Sequence, residues 1–422
     1  MVILRCALTG ILLLALAQLA SAADPPTLDN LEATAAQLAS PLSVEREAGE
    51  GWLKANANAA FPELARLIEQ GGAKQQMRAA NVAAVFISPW VRADTQGKVH
   101  KGQINLFQPR RPTARPVDHP HATVIRNAAL SALAKVLESS RKAAEDDDGR
   151  KLPSFPGWEH TELVRALCDC IAEVADGMAI ERLVGLLSEE PNRFQAGHMM
   201  WVLDTYYGLP RSYTWGGICG NSTPEEFRAF DRAETARCKK AKATLLAWHE
   251  QHASKPLRER IDAALDVWDN MISGQEHYAY YTESGEWATQ THYASMIRLG
   301  EPAVDALRKR AANAAKDKYW HRGAYEIVIA AITGRVDNPF VKKMFERETF
   351  EQMLACEIIA AAGSREFKDR LAAMVQSNGP YKKASYTLAV VYRCEAIPIL
   401  EKAWSSDFVA SCAIAELRAW GE

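Results

Sequence analysis

The chain has 422 residues, with 50 Lys or Arg and 52 Asp or Glu, so its formal net charge is −2 at pH 7. This balance lacks the basic footprint of a nucleic-acid-binding protein and the polybasic patch of a membrane-surface protein, and we expect no nucleic-acid partner. A chain of this length ordinarily forms more than one domain, unless it is a repeat array that grows along one axis.

The first 23 residues have the pattern of a secretory signal peptide. Met1–Arg5 contains one positive charge, Cys6–Leu19 is almost wholly apolar, and Ala20–Ala22 has the small-x-small form of a cleavage site. A retained membrane helix is the alternative, but the apolar run is shorter than the roughly 20 residues that a bilayer requires. We therefore predict an exported protein, periplasmic or secreted, with no transmembrane segment in the mature chain.

Apolar residues recur at helical spacing from the N-terminal region onwards. Phe61, Leu64 and Leu67 precede Gly71-Gly72, and Gly177 is predicted to end a helix before another apolar stripe. That stripe consists of Ile180, Leu183, Val184 and Leu187. No long stretch alternates apolar and polar residues at a period of two, so the sequence predicts no sheet.

The C-terminal third contains a repeat. Apolar helices are predicted to end at Gly334, Gly363 and Gly421, and Tyr392–Cys394 occupies the equivalent place without a glycine. The spacings between successive units are 29, 31 and 27 residues. This nearly constant period predicts stacked helical hairpins, each of which must bury its apolar face on its neighbours.

Each unit reads as a helix, a glycine stop and a capped second helix. The helix before Gly334 carries one apolar stripe, formed by Ala324, Ile327, Val328, Ala331 and Ile332. After this glycine, Asn338-Pro339 is predicted to provide an N-cap followed by a proline at the first helical position. Ser364 is predicted to cap the corresponding helix after Gly363.

Units such as Leu299–Gly334 resemble HEAT repeats of the short type related to phycobilisome lyases, with glycine-proline helix starts and alanine-rich second helices. The resemblance extends over Glu301–Gly421 and, less closely, over Thr161–Tyr207. It implies an all-α fold, a right-handed α-solenoid of stacked antiparallel hairpins (a HEAT-like superhelix) and, usually, protein–protein binding. It does not imply a lyase, because many non-enzymes share the repeat.

The predicted organisation is a signal peptide at 1–23, N-terminal helical repeats at 24–273, an aromatic-rich segment at 274–298 and C-terminal HEAT-like repeats at 299–422. Loop insertions are predicted within the N-terminal repeats at 88–122 and 208–227. The first insertion is rich in Pro, Arg and Lys and could dock an acidic partner or an anionic polymer, although such long loops are more often mobile.

Aromatic residues of two loops are the candidate binding residues: Trp215, Tyr278, Tyr281, Trp287 and His292. Tyr and Trp are favoured at interfaces because each offers a large apolar area together with a polar group. The alternative is that the rings within 275–293 fill an irregular junction between two parts of the solenoid.

No set of catalytic or metal-binding residues has a workable spacing. His249 and His252 are three residues apart, whereas a zinc-protease helix needs histidines four apart, so we expect a solvated helix face there. His119 and His121 are explained by the polarity of their loop. Gly216–Gly220 lacks the Lys-Ser/Thr pair of a phosphate-binding loop. We expect no metal site, no cofactor and no catalytic residue.

The cysteines after the predicted signal peptide number seven. Cys168 and Cys170 are two apart on a predicted helix, so their side chains diverge by roughly 200° and cannot form a redox pair there. Cys356 and Cys412 are predicted to be buried as small apolar residues. Cys219, in a glycine-rich loop, is the candidate for a disulfide bond.

These patterns favour an exported scaffold that binds a protein or peptide partner. The alternative is an enzyme or small-ligand receptor whose site lies under the 208–227 and 275–293 loops. A deep pocket with converging carboxylates or histidines would favour the alternative, and an open groove lined with Tyr, Trp and Arg would favour the scaffold.

Overall fold

The chain is all-α in the computed structural model, as its sequence predicts. The structure describes residues 26–38, 40, 43–87, 119–145, 158–213, 223–274, 293–314, 319–347, 349–377, 382–403 and 407–419. Within these ranges the regular elements are α-helices and short 3₁₀ turns, without a strand. None of the described helices is long and apolar enough to cross a membrane.

The helices form an N-terminal and a C-terminal series. The N-terminal helices are α1 (Leu28–Leu38), α2 (Ser43–Gln70), α3 (Ala73–Ile87), α4 (Ala122–Glu145), α5 (Trp158–Val174), α6 (Gly177–Glu189), α7 (Arg193–Tyr207) and α8 (Pro224–His252). The C-terminal helices are α9 (Leu257–Gly274), α10 (Ala294–Arg298), α11 (Val304–Asn313), α12 (Tyr319–Thr333), α13 (Asn338–Phe345), α14 (Thr349–Ala362), α15 (Lys368–Gln376), α16 (Lys382–Tyr392), α17 (Ile397–Leu400) and α18 (Phe408–Ala419). In these ranges, 3₁₀ turns at Glu301–Ala303 and Arg393–Ala396 precede α11 and α17.

The helices pack in two rows. In the buried row, α3, α5, α7, α10, α12, α14, α16 and α18 each pack on the next. In the outer row, α2, α4, α6, α11, α13, α15 and α17 each pack on the buried-row helix that follows them in the chain. The remaining outer-row helices are α8, which packs on α6 and α7, and α9, which contacts α7 and α11. This packing is compatible with a helical-repeat solenoid.

The composition of the helices explains the two rows. Gly323–Ile332 of α12 and Leu354–Ala362 of α14 are buried at every position, because most of their side chains are Ala, Val, Ile or Leu. Outer-row helices instead bury a single stripe. In α11 the buried residues are Val304, Leu307 and Ala311, which lie three and four positions apart.

The two hydrophobic cores of the described residues adjoin at α9. The N-terminal core is built on α1 to α8, and the C-terminal core on α9 to α18. On α9 itself, Ala264 belongs to the N-terminal core, whereas Ile261, Leu265 and Trp268 belong to the C-terminal core. A single helix therefore contributes to both cores.

Left-handed backbone marks the unit boundaries that the sequence predicts. Gly334 and Gly363 follow α12 and α14 with φ angles of 71° and 65°. Arg393 follows α16 with a φ of 54°, and it is the one non-glycine residue at positive φ among those described. The predicted equivalence of Tyr392–Cys394 with these glycines is therefore confirmed. Gly421 lies outside the described residues.

Two of the predicted helix caps in the C-terminal units are wrong. Asp337, and not Asn338, caps α13, since its carboxylate accepts a hydrogen bond from the Phe340 N–H at 3.1 Å. Ser364 does not cap α15, which begins at Lys368 without a side-chain cap. Asp and Asn cap helices about equally well, so residue type alone could not choose between two adjacent candidates.

Gly177 begins α6 and does not end α5, contrary to the sequence-based prediction. Asp176 is the cap of α6, because its side chain accepts a hydrogen bond from the Ala179 N–H at 2.9 Å. The same carboxylate pairs with Arg126 of α4 at 2.8 Å. This cap therefore also joins two helices of the outer row.

Candidate functional site

The two cores are joined at the C-terminal end of α7. Trp268 of α9, only 1% exposed, donates its indole N–H to the Gly208 carbonyl at 2.7 Å. Ser295 of α10 donates its hydroxyl to the Leu209 carbonyl at 2.6 Å. Carbonyl groups at a helix end need partners from elsewhere, and here two other helices provide them. We call these four residues the inter-core clamp.

The clamp requires glycine at position 208. Gly208 adopts a left-handed conformation with a φ of 72°. A Cβ atom added there would lie 2.5 Å from Leu299 Cγ, well inside contact distance. Both the backbone angle and the close approach of the chain after α10 therefore exclude a larger residue.

Asp204, one turn before the end of α7, is a buried acid beside the clamp. Its carboxylate accepts hydrogen bonds from the Ser212 backbone N–H at 2.8 Å and from the Ser212 hydroxyl at 2.5 Å. Burial raises the pKa of Asp204 to about 7, against the opposing effects of Ser212 and the positive charge of Arg211. A carboxyl group with such a pKa is a candidate for function. Here it holds the turn that follows α7.

A buried ion pair also connects the two cores. Arg298 of α10 donates to Glu173 of α5 at 2.6 Å, and the Glu173 side chain is completely buried. The Arg298 side chain is 17% exposed. Such a pair stabilises less than its charges suggest, because both groups lose water, but losing one partner is costly.

The histidines of α8 are buried, so the expected solvated helix face is wrong. His249 is 7% exposed and His252 is 8% exposed. The Tyr207 hydroxyl lies 2.6 Å from His249 Nδ1, and His249 Nε2 lies 3.4 Å from Glu181 Oε1. His252 stacks on Trp248 with ring centroids 4.4 Å apart. The i to i+3 spacing places both rings against neighbouring aromatic residues.

The Tyr207, His249 and Glu181 side chains form a chain of polar contacts. Burial raises the pKa of the Tyr207 hydroxyl, so the phenol remains protonated beside His249 Nδ1. The second ring nitrogen, Nε2, lies on the side of Glu181. Both ring nitrogens are therefore engaged within the fold, which assigns this group to the packing of α8 on α6 and α7.

An open groove lies between the first turns of α9 and α11. It has a volume of about 540 Å³, within the range of ligand sites. The groove is lined by Leu257, Arg258, Ile261, Asp262, Pro302, Asp305, Ala306 and Lys309. Ile261 is buried at its floor, and Leu257 is 41% exposed. The lining thus combines an apolar floor with charges of both signs.

The chain matches no protein-family model, no curated protein and no solved structure. The fold and the groove are therefore interpreted from their own residues.

The binding residues predicted from the sequence lie outside the described ranges: Trp215, Tyr278, Tyr281, Trp287 and His292. The alternative site under the 208–227 and 275–293 loops falls largely outside them as well, as does most of the 88–122 insertion. These predictions stay open. Tyr293, the last residue of the aromatic segment, is described and is 2% exposed, with its ring centroid 5.6 Å from that of Trp268. At this end of the segment, a ring packs in the core.

Sequence reasoning did not identify the groove. Its residues come from two helices more than 40 positions apart in the chain, and no local pattern pairs them. The available signal was Leu257, an apolar residue that opens a helix directly after Pro256. An apolar side chain in the first turn of a helix must find apolar contacts outside that turn. Only the structure shows that Leu257 faces α11.

The described cysteines are Cys168, Cys170, Cys238, Cys356, Cys394 and Cys412, and none of them is bonded to another. Cys356 is buried as predicted, whereas Cys412 is partly exposed, so its predicted burial is wrong in part. Cys168 and Cys170 are buried as well. Cys219 lies outside the described residues. Within the described part of the chain, no three His, Cys, Asp or Glu side chains are grouped to hold a metal ion.

His119 and His121 pack against the N-terminal core and are not simply polar loop residues. The His121 ring stacks on Phe61 with centroids 4.5 Å apart, and the His119 ring lies 5.0 Å from the same phenylalanine. Burial lowers the pKa of His119, and the neighbouring His121 lowers it further. The pair therefore closes the N-terminal core before α4 begins.

Proposed function

We propose that the protein is an exported HEAT-like solenoid that binds a protein or peptide partner in the α9–α11 groove. The two packed rows support the solenoid, since each hairpin buries its apolar faces on its neighbours as a repeat unit must. The pattern of residues 1–23 supports export. A mature chain that retained these residues, measured by intact mass, would contradict export.

The groove is the observation on which the binding role rests. Among the described residues, the large apolar side chains that are clearly exposed are Val124, Met178 and Leu257. Of these, Leu257 lines a groove whose apolar floor is formed by Ile261 and Ala306. An exposed apolar residue beside such a floor offers a place where a partner can bury apolar surface.

Binding fits the groove better than catalysis does. The lining contains no histidine, cysteine, serine or tyrosine, and its Asp and Lys side chains are exposed, so nothing in the groove desolvates them for acid, base or nucleophilic chemistry. The groove is open, as the scaffold hypothesis requires. The sequence led us to expect a groove lined with Tyr, Trp and Arg. This groove has Arg258 in its lining but no Tyr or Trp.

Differential affinity capture from an extract of the native host tests this function. Leu257→Asp places a charge at the mouth of the groove, and an anchor lost there costs about 2 kcal/mol or more, roughly thirtyfold in affinity. Met178→Asp is the matched control, because Met178 is also an exposed apolar residue in the first turn of an outer-row helix. A protein retained by the wild type and by Met178→Asp, and lost by Leu257→Asp, would support the proposal. Equal retention by all three would contradict it.

A further inference from the structure

The groove lies between two helices that run in the same direction. Leu257 and Pro302, at the two helix starts, line the same space. Further along, Arg310 of α11 bonds the Asp262 carbonyl at 3.4 Å and the Asp266 carboxylate at 2.6 Å. Early residues therefore face early residues, and later residues face later ones. Two side-by-side helices present ridges with a groove between them, which is the surface on which a third helix packs.

The length of the groove limits how much of an occupant helix can contact it. The lining residues lie between Leu257 and Asp262 on α9, and between Pro302, in the 3₁₀ turn before α11, and Lys309 of α11. At a rise of about 1.5 Å per residue, these stretches extend for about 8 to 10 Å, or about two helical turns. Two apolar side chains separated by one turn of an occupant helix would reach this floor.

The rim of the groove carries both signs of charge on each wall. Arg258 and Asp262 lie one turn apart on α9, and Asp305 and Lys309 lie one turn apart on α11 in the opposite order. Arg258, Asp262 and Lys309 form no ion pair with another described residue, whereas Asp305 lies 3.6 Å from Arg308. A uniformly charged ligand would meet repulsion on either wall. A helix with flanking acidic and basic side chains one turn apart would meet opposite charges on both.

The floor favours a helix over an extended peptide. Ile261 and Ala306 lie on helices, so the floor is not a strand edge with a row of free N–H and C=O groups for an extended segment to pair with. An extended segment would bury its own backbone groups there without partners, which is unfavourable. A helical segment satisfies its backbone internally and presents only side chains.

We infer that the groove takes an amphipathic α-helix of a partner protein, with apolar anchors one turn apart and mixed charges on its flanks. This inference rests on the proposed function and specifies the chemical class of the partner segment. It commits to a helix in the groove. An extended peptide and a partner that binds elsewhere on the outer row are the competing outcomes.

Selection of displayed peptides tests the class directly. The probe is a phage library of random peptides of about 14 residues, or about four helical turns, panned on the full-length protein. Counter-selection uses the Ala306→Trp variant, whose larger side chain fills the floor of the groove. If this variant loses the circular dichroism signal of its helices, Leu257→Asp takes its place in the counter-selection. Ala229→Trp is the matched control, since Ala229 is exposed on α8 and does not line the groove.

We expect the selected peptides to carry apolar residues at i and at i+3 or i+4, with acidic and basic residues between and beside them. They should bind the wild type and Ala229→Trp equally and lose at least about tenfold in affinity for the filled groove. Proline in the middle of a peptide should cause a comparable loss, because it breaks the helix. Exchange of the rim charges (Arg258→Asp with Asp262→Arg) should reverse the preferred charges on one flank.

The outcomes separate the inference from the proposed function. Selected peptides with alternating apolar residues, or peptides that tolerate proline, would overturn the helical occupant. If Leu257→Asp still abolished capture of the native partner, the proposed function would hold, and the partner would bind in the groove through a segment that is not an amphipathic helix. If neither the peptides nor the native partner responded to Leu257→Asp, both the inference and the proposed function would fall.

Discussion

Asp204→Asn should change how stability depends on pH. The carboxyl is 2% exposed, and burial raises its pKa from an ordinary value near 3.8 to about 7 in the folded protein. The folded state therefore holds this proton more tightly than the unfolded state does. Below about pH 4 both states are protonated and the contribution is fully present. It is lost as pH rises towards and through about 7, because the unfolded chain ionises first.

The size of the effect follows from the two pKa values. A difference of about three pH units corresponds to about 4 kcal/mol. Asparagine keeps the shape and an acceptor for the Ser212 N–H without a charge to bury. The free energy of unfolding of Asp204→Asn minus that of wild type should therefore increase by about this amount from pH 4 to pH 8. Urea unfolding at a series of pH values, followed by circular dichroism, measures the difference.

Ser212→Ala supplies a mechanistic control. It removes the hydroxyl that donates to Asp204 and leaves the backbone N–H in place. Because that hydroxyl favours the ionised carboxylate, its loss should raise the pKa of Asp204 further, so the decline in stability begins at the same pH and continues to higher pH. A difference between wild type and Asp204→Asn that does not vary with pH would refute the reasoning. The carboxyl would then ionise at its ordinary pKa in the folded state.

Three further comparisons of variants test individual contacts by urea unfolding. Gly363→Ala should lower the free energy of unfolding by about 1 kcal/mol because φ is 65° there. Gly185→Ala should raise the free energy of unfolding by up to about 1 kcal/mol, because Gly185 lies inside α6 with open space around its Cβ position. If both substitutions changed stability in the same direction, the left-handed backbone assigned to Gly363 would be contradicted. Trp268→Ala should cost about 3 to 5 kcal/mol. Trp268→Phe keeps a buried ring but loses the indole hydrogen bond and part of the ring, and should cost about 1 to 2 kcal/mol; a Trp268→Phe variant as stable as the wild type would argue against the clamp. Arg298→Met should lower the free energy of unfolding more than the double variant Arg298→Met with Glu173→Met does. The single change leaves the buried Glu173 carboxylate without its arginine, whereas the double change removes both charges. A larger loss in the double variant would show that the pair contributes little.

The fold class was predictable because the signals for helices are local. The stripe from Ala324 to Ile332 and the stops at Gly334 and Gly363 depend on residues within a few turns of each other. Even Arg393, which lacks the glycine signature, was placed correctly by the period of the repeat. Boundaries were less secure, since adjacent polar residues such as Asp337 and Asn338 compete for the same cap.

The candidate site was only partly accessible from the sequence. The aromatic residues chosen as binding candidates drew attention by composition, and they lie outside the described part of the chain. Composition misled at His249 and His252, where polarity suggested a solvated face and the structure shows burial. Residue type reports the preference of an isolated side chain, whereas burial depends on which neighbours arrive from other helices.

By itself, the sequence determined that the chain forms helical hairpins with a period near 30 residues, because helical periodicity and left-handed stops are decided by neighbours in the chain. Only the tertiary structure decided which surfaces meet. Gly208 and Trp268 are 60 residues apart, Leu209 and Ser295 are 86 apart, and Glu173 and Arg298 are 125 apart. No local pattern encodes such pairs, since they form when whole helices stack. The groove between α9 and α11 arises in the same way, from the space that two packed helices leave between them.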